Sequence, residues 1–354
     1  MTLELKLHDK IEEIDREAWQ LLSANPYESH SWFAAMEEHF TDTRFLYFCA
    51  VEGEQLRAVL PSYDSHAPSA PDSITKLALR SGKRFESLSN RLLRRAPLRF
   101  LIAGSPHSYV SDIIGDPACD KFLVDAIERH AINSNVDLLS LPFMRRPVTL
   151  QGAYTTPCIE DHQLDLSGRS VDDYCASFKN KKTRYTRRKE FRLAPTFTDA
   201  PLAGHGELVS RLGHITAQRH GVSDPVPPEF YESLARHLGD DARVLLAGEG
   251  DDCRGALAFL IGPDSLSIFH IGVLERDETY FHTCFTNPIR IAYKRGLTQM
   301  NYRPSSDKAK RDRGCRAIPT TFYCAPTSSR GRVTMRLLDL IRGISRQKNE
   351  GQNS

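Results

Sequence analysis

Two spacings of apolar residues alternate along the 354-residue chain, and the switches between them predict the order of its elements. Apolar residues three to four apart predict helices over 11–23 and 31–40, the second with Ser29 or Ser31 as N-cap. The apolar runs 45–51 and 56–63 flank the polar Glu52-Gly53-Glu54-Gln55 and predict a hairpin. Strands over 98–102 and 136–141 bracket a helix over 118–133, which makes a βαβ unit. A strand over 158–166 opens the second half. A helix follows, capped by Ser170 with Asp172 and Asp173 in its first turn, where Val171, Tyr174, Phe178 and Tyr185 form a core-facing stripe. Helices over 208–220, closed by Gly221, and 230–238 lead to three strands over 242–247, 254–261 and 265–274, set apart by Gly248-Glu249-Gly250 and Gly262-Pro263. From Thr283 onward Phe285, Ile289, Ala292 and Tyr293 predict a buried helix that Gly296 ends. A strand over 297–302 and an extended run from Pro319 to Phe322 come next. A helix beyond Thr327 closes the chain, and 347–354 is expected to be disordered.

Length adds that one core is not enough: 354 residues predict two domains, 1–157 and 158–354. No stretch approaches the ~18 apolar residues of a membrane span, and the first ten residues lack the apolar core of a signal peptide, so a cytoplasmic protein is expected. The eight cysteines stand singly, without C-x-x-C pairs or histidines at zinc-finger spacing, and read as reduced, mostly buried thiols with no metal site. G-x-S-x-G, H-E-x-x-H and Walker A patterns are missing, which argues against serine hydrolases, zinc proteases and nucleotide hydrolysis.

Charge changes the picture more. The net charge of +2 hides a split, since residues 1–165 hold 17 Lys/Arg against 24 Asp/Glu and residues 166–354 hold 30 against 21. Such an asymmetry favours an anionic partner for the second half. Along residues 179–192 of the 171–192 helix, Lys179, Lys181, Lys182, Arg184, Arg187, Arg188, Lys189 and Arg192 meet a single acid, Glu190. Like charges at i, i+3 and i+4 repel, so packing or bound phosphate must offset them. A second basic run, Lys76 to Arg99, reads equally as a solvated insertion or a polyanion-contacting surface.

Beyond the 297–302 strand, Lys308, Lys310, Arg311, Arg313 and Gly314 crowd one turn, an arrangement that suits an anionic substrate or transition state. Phe281-His282-Thr283-Cys284-Phe285 with Ile289, Ala292 and Gly296, then Lys310-x-x-Arg313-Gly314 with Pro319, resembles the FemAB-like branch of the GNAT acyltransferase superfamily. The spacing Lys310-x-x-x-Gly314 is similar to the lysine turn of peptidoglycan-bridge aminoacyltransferases, and Asn25-Pro26-Tyr27-Glu28-Ser29-His30-Ser31-Trp32-Phe33 is similar to that family's opening helix.

The resemblance implies an α/β (α+β) protein of tandem GNAT-like domains with mixed, largely antiparallel central sheets. It also implies amide-bond formation between an activated acyl donor and a small-molecule or peptide amine acceptor. An ordinary GNAT enzyme cradles coenzyme A on a glycine-rich turn at a helix N-terminus. The equivalent turn here, residues 274–280, has no glycine and three acids. An aminoacyl-tRNA co-substrate, with no tightly bound cofactor, fits that departure and the basic helix. Acyl-CoA as donor, and a non-catalytic GNAT-fold module binding RNA or another polyanion, are the alternatives. For the chemistry, Lys310 is the expected oxyanion donor or proton relay, with His220 and His270 as candidate bases. Arg313, Tyr302, Arg219 and Lys308 are the expected substrate-binding residues, while His282 and Cys284 read as helix packing.

Overall fold

The computed structural model describes residues 2–66, 98–108, 111–166, 168–219, 226–275, 277–304 and 307–337. Most of the basic run from Lys76, the candidate base His220, the expected stop Gly221 and the tail 347–354 lie outside these residues. In chain order the elements are β1 (Glu4–His8), α1 (Arg16–Gln20), α2 (His30–His39), β2 (Phe45–Glu52), β3 (Gln55–His66), β4 (Arg99–Ala103), β5 (Ile114–Gly115), α3 (Asp120–Asn133), β6 (Leu138–Met144), β7 (Tyr154–Pro157) and β8 (Asp161–Asp165). Then come α4 (Val171–Ser177), α5 (Lys181–Leu193), β9 (Thr198–Pro201), α6 (Gly206–Arg219), α7 (Pro228–Leu238), β10 (Ala242–Leu246), β11 (Gly255–Ile261), β12 (Ser265–Val273) and α8 (Glu278–Phe281). A wide π-type turn, His282–Thr286, joins α8 to α9 (Asn287–Lys294), followed by β13 (Gln299–Asn301), α10 (Asp307–Arg311), β14 (Arg316–Ile318) and β15 (Thr321–Pro326). Among the described residues no helix is long and apolar enough to cross a membrane.

The chain divides into two units, one of Met1–Leu22, Phe40–Ile159 and Pro319–Ser354, the other of Ser23–His39 and Glu160–Ile318. The single boundary expected between 157 and 158 is thus replaced by two exchanged segments, for reasons of hydrogen bonding and packing. In the first unit β15 lies between β6 and β7, antiparallel to both, and satisfies backbone groups that either strand would otherwise leave open. In the second, α2 packs on α7 through Trp32 and Phe230, and Ser233 Oγ donates to the Ala35 carbonyl at 3.2 Å.

The first unit's sheet runs β1-β2-β3-β4-β6-β15-β7, with β5 on β3, and only β4 and β6 are parallel. Leu123 and Ile127 of α3 pack with Phe48, Leu60, Leu101 and Leu139 beneath it. The second unit's sheet runs β14-β8-β13-β12-β11-β10-β9, and only β12 and β13 are parallel. Its core gathers Leu164, Tyr174, Phe191, Phe259, Phe285, Ile289 and Met300. Both sheets are mixed and largely antiparallel, as expected. Gly272 of β12 lets α6 approach closely: a Cβ there would sit 2.3 Å from the Leu212 carbonyl carbon.

Two local readings need correction. The expected 171–192 helix is broken at Phe178, whose extended backbone (φ −68°, ψ 130°) ends α4. Asn180 then restarts the chain as a cap, its Oδ1 accepting from Lys182 N at 2.8 Å. The break rotates the second segment, so Phe191 is buried and Tyr185, expected in the core, stands 65% exposed. The expected lysine turn is the short helix α10, and Lys310 points inward at 3% exposure.

Lys310 Nζ donates to the Arg303 carbonyl. Arg303 has the left-handed φ of 61°, rare for a residue with a Cβ. Its guanidinium lies 4.4 Å from the Tyr27 ring centroid and 4.7 Å from that of Phe269, and its Nε donates to Tyr27 Oη at 2.9 Å. Tyr27 Oη in turn donates to the Ile268 carbonyl at 2.9 Å. One buried chain of contacts therefore holds the residues before α2, the middle of β12, the end of β13 and α10.

Replacing Asn180 with Ala should cost about 1 kcal/mol and selectively speed hydrogen exchange in the first turn of α5; unchanged protection there would remove the cap. Lys310→Ala leaves a buried carbonyl without its donor and opens a void, so denaturant unfolding should show a loss of about 2–4 kcal/mol. Lys308→Ala, 89% exposed at its side chain, should stay within ~0.5 kcal/mol of the parent. Equal stability of the two variants would contradict the inward role of Lys310.

Candidate functional site

In the second unit, three stretches of chain enclose a cleft of about 910 Å³. One wall is α5, where Thr186, Lys189, Glu190 and Leu193 recur at three- to four-residue spacing and so share a face. Facing it are Glu278, Tyr280 and Phe281 of α8 with His282 and Thr286 of the π-type turn. Asp307, Lys308 and Ala309 of α10 and the following Asp312 and Arg313 complete the lining.

The π-type turn has a sequence cause. Pro288, near the start of α9, has no N–H to return to the carbonyl of Cys284, and the helix widens just ahead of it. Asn287 secures the wide turn, its Nδ2 donating to the carbonyls of His282 and Pro195, each at 3.2 Å. Thr283, Cys284 and Phe285 are buried, as read from the sequence, but His282 reaches the cleft. Its Nδ1 lies 3.4 Å from Thr286 Oγ1. Burial holds the imidazole below its ordinary pKa, against Glu278 and Glu190 and with Arg290 and Arg313. It is therefore neutral near pH 7 and able to accept a proton.

Arg313 is the fixed cation of the cleft. Its guanidinium lies 4.4 Å from the Phe285 ring centroid and 4.7 Å from that of Phe281. Nη1 donates to the Ala309 carbonyl at 3.2 Å, and Nη2 is 3.6 Å from Glu190 Oε1. Tyr174 Oη holds the Arg313 carbonyl at 2.9 Å, and Gly314, at φ 85°, lets the chain turn away. Lys308 also lines the cleft, but its ammonium is paired with Asp312 at 2.9 Å.

The remaining expected site residues fall elsewhere. Lys310 is not in the cleft lining, and burial pushes its pKa down, against the raising influence of Cys284, Asp161 and Cys315. Its Nζ is turned to the Arg303 carbonyl, so the structure does not present the expected oxyanion donor among the residues that line the cleft. Tyr302 is a core residue stacked on Phe285 at 5.1 Å, with its hydroxyl 3.8 Å from Met300 Sδ. Arg219 braces the end of β12 by donating to the carbonyls of Val273 and Leu274. His270 Nδ1 lies 2.6 Å from Tyr231 Oη and its ring stacks on Phe269, away from the cleft lining.

The basic helix separates into two sets. Arg187 is buried and paired with Glu190, while Arg184 Nη1 donates to the carbonyls of Phe178 and Lys179 at 3.0 and 3.2 Å. Lys179, Lys181, Lys182, Arg188, Lys189 and Arg192 are exposed. The sequence alone does not distinguish the eight, since the break at Phe178 sets their directions.

Glu160, His162 and Asp307 bring their donor atoms within 4.8 Å of one another, and His162 is fully buried with neither ring nitrogen hydrogen-bonded. Among the described residues this set could hold a cation. Arg311 already pairs with Glu160 at 2.5 Å, however, and the Lys310 charge beside His162 would repel a metal ion. The eight cysteines are all free thiols, seven of them buried.

No family model matches the sequence. No curated protein matches it either. Among solved structures it is similar to FemX, with 11% identity, a TM-score of 0.58, and 91% of this chain and 97% of that one covered. A tandem GNAT protein from the clavulanic acid biosynthesis pathway aligns at 11% identity and TM-score 0.49 over 92% and 99% of the two chains. L-PGS from Bacillus licheniformis aligns at 12% identity and TM-score 0.47 over 68% and 82%. The chain therefore has the fold of FemX, an α/β fold of two mixed, largely antiparallel sheets.

Proposed function

We propose that the cleft of the second unit is the acyl-transfer site of an N-acyltransferase that draws its acyl group from aminoacyl-tRNA. One observation carries this reading: α5 lines the cleft with Thr186, Lys189, Glu190 and Leu193 while its neighbouring face exposes Lys181, Arg188 and Arg192. A polyanion held on that face can deliver its end to the cleft. The turn before α8 favours the same donor over coenzyme A. Asp277 Oδ1 accepts from Thr279 N at 2.8 Å, so a carboxylate occupies the N-terminal position that a pyrophosphate would need. Arg254 is also neutralised there, 2.9 Å from Glu275.

In the reaction, the acceptor amine attacks the ester carbonyl of the donor. A C–N bond forms, the C–O bond to the ribose breaks, and the amine proton must leave while the ribose hydroxyl gains one. Neutral His282 is placed to take the amine proton and return it to the leaving hydroxyl. Arg313, held against aromatic rings and Glu190, is placed to stabilise the oxyanion, in place of Lys310, which does not line the cleft. The acceptor is a small-molecule or peptide amine, and Glu190, Glu278 and Asp307 give the cleft the acids to attract it. In FemAB-like terms the protein is an aminoacyltransferase acting in the cytoplasm.

Filter retention of charged tRNA should fall steeply as salt rises. Alanine at Lys181, Lys182 and Arg188 together should weaken it, whereas Arg187→Ala should chiefly lower stability, since Arg187 is buried against Glu190. Coenzyme A bound tightly with tRNA ignored at low salt would overturn the donor. Transfer of a labelled amino acid should show an acid limb, because His282 is active when neutral: the rate rises as pH climbs through a value below 6.5 and then levels. His282→Gln should lower turnover ~10²-fold or more and erase that limb. An unchanged limb in this variant would exclude His282 as the base.

A further inference from the structure

On α5 one aromatic ring stands in the open among cations. Tyr185 is 65% exposed, and its neighbours at i−4, i−3, i+3 and i+4 are Lys181, Lys182, Arg188 and Lys189, all exposed. Arg192, two turns on, extends the same face. Lys189 belongs to the cleft lining as well, so the ring sits between the cation stripe and the cleft wall. No acid shares this face: Glu190, the only one on the helix, is turned to Arg187 and Arg313.

Resting on the RNA reading above, we infer that Tyr185 is a stacking platform for an unpaired base of a single-stranded RNA end, with the surrounding cations holding its phosphates. Stacking on an exposed aromatic ring is a sequence-tolerant means of gripping a strand, and it works only where a base is free of its partner. A duplex presents phosphates to the cations but no free ring face to Tyr185. The platform therefore selects an end that can enter the cleft rather than a continuous helix. An anionic membrane surface fits less well, since interfacial helices carry a broad apolar face and α5 exposes only Tyr185 and Leu193 as large apolar groups.

The test uses the full chain with a short single-stranded RNA oligonucleotide and the same sequence as a blunt duplex, titrated over a range of salt. The single strand should bind more tightly. Tyr185→Ala should weaken single-strand binding about tenfold and leave the salt slope unchanged, and Tyr185→Phe should restore it. Arg188→Ala should reduce the salt slope by about one phosphate contact in both RNAs. Single-strand binding that survives Tyr185→Ala, or equal affinity for the duplex, overturns the platform and leaves the tRNA reading standing. No retention of either RNA at low salt overturns that reading itself. Binding to anionic phospholipid vesicles that needs Tyr185, with RNA ignored, assigns the face to a membrane and overturns the platform too.

Discussion

The second unit depends on a buried ammonium. Lys310 sits at 3% exposure and reaches the carbonyl of Arg303, a residue in left-handed backbone whose own charge is buried against Tyr27 and Phe269. Removing a charge from water costs several kcal/mol, so such a group persists only where geometry compensates it closely. Here the Arg303 carbonyl compensates Lys310, while the Tyr27 hydroxyl and the faces of Tyr27 and Phe269 compensate the Arg303 guanidinium. Because those partners come from the residues before α2, from β12, from the end of β13 and from α10, the lock fixes the start of the segment that carries Arg313. Arg313, the buried cation of the cleft, follows this lock by three residues.

From that fixed floor the rest of the site follows. Pro288 widens the helix ahead of it and brings His282 and Phe281 to the cleft, where a regular helix would space them differently. The break at Phe178 and the cap at Asn180 aim Thr186, Lys189, Glu190 and Leu193 at the opposite wall. Glu190 then links the two walls electrostatically, since it meets both Arg187 and Arg313. The cleft thus brings an imidazole whose pKa is lowered by burial and a buried guanidinium into one lining, the pair on which the proposed base and oxyanion roles rest.

Much of the fold was legible in the sequence because it rests on strong local patterns. The β2–β3 hairpin, α3, the β10–β12 meander and the stop at Gly296 all follow from periodicity and turn residues. The short strands β1, β7, β9 and β14 were not, since three to five residues carry no period and are fixed by their partners. Nor could local pattern place β15 in the first sheet. The site was half legible. Charge density and the glycine after Arg313 pointed to the right turn, yet which lysine faces the cleft is decided by burial: the spacing singled out Lys310, and the structure turns Arg313 and Lys308 to the cleft instead. Periodicity alone puts His282 in the helix packing, and only the widened turn ahead of Pro288 brings it to the cleft. One continuous helix would carry Tyr185 to the core, and the break at Phe178 turns it outward.

The most direct measurement of the central claim is a crystal structure of the protein with a short RNA whose 3′ end carries an amide-linked, non-hydrolysable aminoacyl group. The account predicts the aminoacyl carbonyl within hydrogen-bond reach of Arg313, the amide nitrogen facing His282, and the RNA running along the exposed face of α5. The ligand bound on the first unit, or an empty cleft with the RNA held elsewhere, would contradict it.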